Sequence, residues 1–166
     1  MSEKTIFQII IGDIPKNIQL DIESVRDWCE YKNYKYKLIT ELPEDLVVEG
    51  LSPRIASDYL RVKILSEHPF HCWADWYVRV NKEFDLNDKP ILVPFFDWFI
   101  YNADRTDVFQ QVYETMLSRK SEGKLNWLNE EGTIYKAFRT VAFERDWMML
   151  EVDKYLIHHC HSRVNK

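Results

Sequence analysis

The run Thr5-Ile6-Phe7-Gln8-Ile9-Ile10-Ile11, closed by Gly12-Asp13 and Pro15, constrains the fold more than any other stretch of this chain. A continuous apolar, β-branched segment ended by turn residues is what a strand buried on both faces requires. The period then changes: Ile18, Ile22, Val25, Trp28 and Cys29 recur at helical spacing between Asn17 and Tyr31. "YKYKLIT", residues 34 to 40, alternates side chains as a half-exposed strand does. Strand, helix and strand in succession form a β-α-β unit, which predicts parallel pairing with a right-handed crossover.

The pattern continues downstream. Ser52 can cap a helix and Pro53 suits its first turn, with Glu67 near its end and Pro69 as its stop. Residues 70–80, "FHCWADWYVRV", and 90–102, "PILVPFFDWFIYN", read as strands. Val108, Val112 and Met116, with Phe109, Tyr113 and Leu117, mark an amphipathic helix from Asp104 to Lys120. A further helix is expected from Glu130 to Arg145, and two short strands, or a strand and coil, in the tail "WMMLEVDKYLIHHCHSRV". The expectation is a single α/β domain over residues 1–166, with a mixed, mostly parallel sheet flanked by helices. Ligands of such sheets sit outside the carboxyl ends of the strands, where Gly12-Asp13 and Asp75 fall.

Bulk properties narrow the class. A chain of 166 residues with 46% hydrophobic and 14% aromatic content buries a real core, and four glycines leave no flexible linker or repeat. The net charge of −5 argues against nucleic acid as partner. "MSEKTIF" lacks the apolar region of a secretion signal, and the longest apolar run, "ILVPFFDWFIY", is broken by Pro94 and Asp97 before it could span a bilayer. Three cysteines, Cys29, Cys72 and Cys160, suit a reducing compartment, so the chain reads as soluble and cytoplasmic.

Three groups could carry chemistry. On the helix after Ser52, Arg54, Ser57, Asp58 and Arg61 share one arc at about 100° per residue, between Ile55, Ala56, Tyr59, Leu60 and Val62. That stripe either faces a cleft, ready to bind hydroxyls or phosphates, or forms a surface ladder of ion pairs. Asp75, between Trp73, Ala74, Trp76 and Tyr77, is a strand-end carboxylate that needs a metal, an arginine or backbone amides as partner. His158, His159, Cys160, His161 and Ser162 offer metal-ligating groups. Adjacent residues cannot all converge on one tetrahedral ion, so a single histidine serving a site elsewhere fits better than a zinc cluster. No Gly-rich phosphate loop, nucleophile elbow or H-E-x-x-H occurs.

Taken in order, "FQIIIGDIP", "SVRDWCEYKNYKYKLIT", "ASDYLRVKIL" and the aromatic strand with Asp75 resemble the DXD-motif glycosyltransferases. The group is that of the Och1-like mannosyltransferases and relatives, including catalytic domains of glucosylating toxins. Ala56-Ser57-Asp58 keeps that group's small-Ser-Asp core, with Arg61 and Ile64-Leu65 in step, while "NADRTDVFQQVYETML" and "YLIHHCHSRV" resemble later segments. The resemblance implies a Rossmann-like nucleotide-diphospho-sugar transferase domain of the GT-A type. It also implies a UDP- or GDP-linked sugar donor and a Mn²⁺ or Mg²⁺ ion on the diphosphate. Gln8, Gly12, Asp13, Arg54, Asp58, Arg61 and Asp75 would line the donor, and Asp75 with His159 or His161 would hold the metal. Two departures stand out: His68-Pro69-Phe70-His71 replaces the family's G-G-x-Y, and Tyr77 replaces the second aspartate. Three readings follow: an active transferase with an unknown acceptor, a catalytically inactive relative that binds a nucleotide sugar or a protein, and a nucleic-acid base glycosyltransferase, which the acidic charge disfavours.

Overall fold

The computed structural model describes residues 2–46, 49–92, 98–122 and 155–158. Strand β1 (Thr5–Ile9) is central and nearly wholly buried, as its apolar run requires. It pairs parallel with β2 (Lys35–Ile39), Thr5 opposite Lys35, and parallel with β3 (His71–Ala74), Thr5 opposite His71. Then β6 (Phe99–Tyr101) pairs antiparallel with β3, and β5 (Ile91–Leu92) antiparallel with β6. The sheet order is β2-β1-β3-β6-β5, with β6 alone running against the others. The alternating, half-exposed β2 is an edge strand, which is why its lysines reach water.

Helix α1 (Gln19–Lys32) follows a 3₁₀ turn, Lys16–Ile18, so the helical stretch expected from Asn17 begins with a tighter turn. Its Ile18 and Ile22 neighbours cluster with Ile10, just past the end of β1. Trp28, further along, stacks on Phe84 at 4.7 Å between ring centroids and donates from Nε1 to the Phe84 carbonyl at 3.2 Å. Helix α2 (Pro53–Glu67) is capped by Ser52, whose hydroxyl accepts from the Ile55 amide at 3.3 Å, with Pro53 in the first turn. It packs on β3 and on α3 (Thr106–Ser121), where the Tyr59 hydroxyl donates to the Met116 carbonyl at 3.0 Å.

Asn102 ties three of these elements together. Wholly buried after β6, its Nδ2 donates to the Leu65 and His68 carbonyls at 2.8 and 2.7 Å, and its Oδ1 accepts from the His71 amide at 2.9 Å. The end of α2, the start of β3 and the end of β6 are thereby fixed to one side chain.

One expected element divides. Residues 70–80 do not form a single strand: the Asp75 carbonyl accepts from the Val78 amide at 3.1 Å, closing a turn between β3 and β4 (Val78–Val80). The chain therefore leaves the main sheet, and β4 pairs antiparallel with β7 (Leu156–His158), Val78 opposite His158. The strand region at 90–102 likewise resolves into β5 and β6, with residues 93–97 outside the described set. The helix expected from Glu130 to Arg145 also lies outside it, and the tail contributes β7. Among the described residues no helix is long and apolar enough to cross a membrane.

Candidate functional site

Because β1 and β3 are parallel, their carboxyl ends open on the same side of the sheet, and the residues that follow them meet there. After β1, Gly12 adopts φ +93°, a left-handed conformation that glycine tolerates, and its amide donates to the Thr40 carbonyl at 3.3 Å. Asp13 beside it is exposed. After β3, the Asp75 amide donates to the Trp98 carbonyl at 2.8 Å, and its Oδ1 accepts from the Trp76 amide at 2.7 Å. The carboxylate is half-buried and oriented by its own turn.

Gln8 joins the two strand ends. It is wholly buried; its Nε2 donates to the Asp75 carbonyl at 3.1 Å and its Oε1 accepts from the Tyr36 hydroxyl at 2.7 Å. Both ends of the amide are thus engaged in holding the Asp75 turn against β1 and β2. Burial pushes the Tyr36 hydroxyl up to about 12, against the opposing pull of the Arg26 guanidinium, so it stays a donor to Gln8.

The stripe on α2 divides: Arg54 is exposed, Ser57 and Asp58 are half-buried and Arg61 is buried. Arg61 pairs with Asp58, their side chains 9% and 21% exposed, and its guanidinium lies 3.6 Å from the centroid of the Trp73 ring. Asp58 and Arg61 thus form a largely enclosed ion pair, the arginine stacked on β3 two residues before Asp75. Ser57 turns its hydroxyl back to the Pro53 carbonyl at 2.9 Å, and Arg54 is exposed in the first turn.

Trp76 and Tyr77 complete the turn. Their rings lie 4.2 Å apart and pack, half-buried, on the cluster of Ile10, Ile18 and Ile22. Tyr77 is therefore part of an apolar contact with the start of α1.

Sequence reasoning missed Asp21 and Arg79. Asp21 is wholly buried in the first turn of α1, and Arg79 of β4 reaches it, Nε to Oδ1 at 2.8 Å. Ser24 supports the same junction: its hydroxyl donates to the Asp21 carbonyl at 2.7 Å and accepts from the Val80 amide at 3.1 Å. The available signal was a carboxylate one turn before Val25 on the buried stripe of α1.

Among the described residues no group of three or more His, Cys, Asp or Glu is placed to hold a metal. Asp75 supplies one hard oxygen donor; His159 and His161 lie outside the described set. Strand β7 runs toward the Asp75 turn and ends with His158 opposite Val78. Cys72 is wholly buried with its thiol pushed up by desolvation, and burial raises Cys29 to about 12, so neither is a nucleophile.

No family model and no curated protein matches this sequence. Solved structures do. The crystal structure of a glycosyltransferase involved in the glycosylation of the major capsid of PBCV-1 superposes with a TM-score of 0.61 at 16% identity, over 99% of this chain and 98% of that one. The chain has a glycosyltransferase fold. The PaToxG glycosyltransferase is a second such likeness, with a TM-score of 0.54 at 13% identity, over 83% of this chain and 69% of that one. At these identities the likeness is one of architecture: a mixed α/β sheet of the GT-A type, mostly parallel and flanked by helices.

Proposed function

We propose that this chain is a DXD-type glycosyltransferase, related to the Och1-like group, that uses a UDP- or GDP-linked sugar bound at the carboxyl edge of β1 and β3. The observation that carries this reading is the position of Asp75 in a glycosyltransferase fold: it follows a central parallel strand and is braced from below by Gln8. Gly12 and Asp13 border the same edge from β1, and Arg54 borders it from the first turn of α2. Asp58 and Arg61 act one layer deeper, holding Trp73 and through it the strand that ends at Asp75. Gln8 likewise acts through its grip on the Asp75 carbonyl.

Asp75, with His159 or His161 from the segment after β7, would hold Mn²⁺ or Mg²⁺. Such an ion neutralises the diphosphate as the bond to the sugar breaks. Asp75 then contributes a pre-oriented carboxylate, and the apolar Trp76–Tyr77 contact keeps its turn rigid.

Calorimetry with UDP- and GDP-sugars, in Mn²⁺ and in EDTA, tests the reading. Binding that requires Mn²⁺ and is lost in Asp75→Ala is the expected result; no binding of any nucleotide sugar overturns it. Tyr77 favours a second reading, a relative that binds the donor without turnover, because it stands where the resemblance implies a second aspartate and its ring packs on Ile10, Ile18 and Ile22. Donor hydrolysis or transfer, followed by chromatography of the released nucleotide, separates the two.

A further inference from the structure

Two arginines lie near the Asp75 turn, and they differ in what they present outward. Arg61 is enclosed by Asp58 and Trp73. Arg79 directs Nε inward to the wholly buried Asp21 at 2.8 Å, while 41% of its side chain is exposed. The two terminal amino groups lie beyond Nε, at the outer end of that side chain. A guanidinium anchored through one edge is pre-oriented, so it loses little rotamer freedom when an anion binds its other donors.

The location follows from packing. Asp21 sits between Ile18 and Ile22, and those two cluster with Ile10, the residue just past β1, and with Trp76 and Tyr77 beside Asp75. The Asp21–Arg79 pair is thus fastened to the same carboxyl edge as the proposed donor site. The positive end of the α1 dipole points there too. A conventional site would meet the donor diphosphate with a cation held by two carboxylates, and this turn offers Asp75 followed by Trp76 and Tyr77. A fixed guanidinium on β4, the strand that directly follows the aromatic pair, supplies positive donors, and the pair supplies an apolar flank.

Resting on the donor reading above, we propose that Arg79 is a phosphate-binding residue of this site, holding the diphosphate of a nucleotide sugar beside the Trp76–Tyr77 pair. Asp21 is its positioning residue.

The test is calorimetric titration of UDP, GDP and their sugars into the full chain and into Arg79→Gln and Arg79→Lys, with Mn²⁺ and with EDTA. Because Arg79→Gln leaves Asp21 without this partner, Asp21→Asn combined with Arg79→Gln serves as a second variant free of the buried charge. Thermal melting checks that each is folded. Affinity for the diphosphates reduced about tenfold or more in both Gln variants, and less in Arg79→Lys, is the expected result, since charge-assisted bidentate contacts are worth that much. Unchanged affinity in a folded Gln variant, while wild type binds, overturns the role of Arg79 and leaves the donor reading standing. Failure of wild type to bind any nucleotide overturns both.

Discussion

The Asp58–Arg61 and Asp21–Arg79 pairs look alike on paper and do different work. In the first, both partners are enclosed and the arginine face is covered by Trp73. In the second, the carboxylate is wholly buried and the arginine is 41% exposed. Enclosure on both sides makes the first pair a structural joint between α2 and β3. The asymmetry of the second makes it a joint between α1 and β4 that still offers donors to a ligand. The lesson is that an arginine's role follows from which of its faces is covered, which spacing along a helix does not reveal.

The comparison predicts a graded series. Arg61→Ala removes the stacked cation and strands a partly enclosed Asp58, so denaturant unfolding should show a loss of about 3–4 kcal/mol. A loss within the scatter of surface substitutions would abolish the distinction between the pairs. Asn102→Ala calibrates the same side of the molecule. It removes three interior hydrogen bonds, and the expected cost is about 2–3 kcal/mol by the same measurement. Arg79→Gln should cost less, about 1–2 kcal/mol, because the lost cation is 41% exposed and the glutamine amide can still donate to the Asp21 carboxylate. A cost above that of Arg61→Ala would make Arg79 the more structural of the two.

The smallest effect is a pH dependence. Desolvation by burial holds the His71 imidazole below its ordinary 6.5, opposed by its bond to the Pro69 carbonyl and reinforced by His68 and Lys37. The unfolded chain therefore binds this proton at higher pH than the folded one. Stability from this group is complete above about 6.5 and declines as pH falls from there toward the depressed folded value. His71→Gln should flatten that acidic slope in pH-dependent melts, whereas Arg79→Gln should leave it unchanged. A slope that survives His71→Gln assigns the acid sensitivity to another group.

Much of the fold was legible because it rests on local periodicity. The apolar run at Thr5 reads as an interior strand, the alternation at Tyr34 as a half-exposed one, and Ser52-Pro53 as a helix start, and each is found so. Asp75 at a strand end was legible for the same reason. Less could be read where one residue answers to several partners. The break at Asp75 depends on a carbonyl taken by both Gln8 and Val78, and Gln8 itself turns out to brace that break with both ends of its amide. Asn102 passed as part of an ordinary strand end, since its three partners, Leu65, His68 and His71, lie 31 to 37 residues back in the chain.

The sequence by itself thus determined the parallel β-α-β start, the cap of α2 and the amphipathic helix α3. These follow from side-chain period, capping and turn chemistry, which act over a few residues. Tertiary structure decided which charges are enclosed and which are offered. It closed Arg61 under Trp73, buried Asp21 in the first turn of α1, and brought β4 and its Arg79 to that helix from 58 residues along the chain. Burial is a property of what packs on a group from elsewhere in the chain, and for that reason no local pattern encodes it.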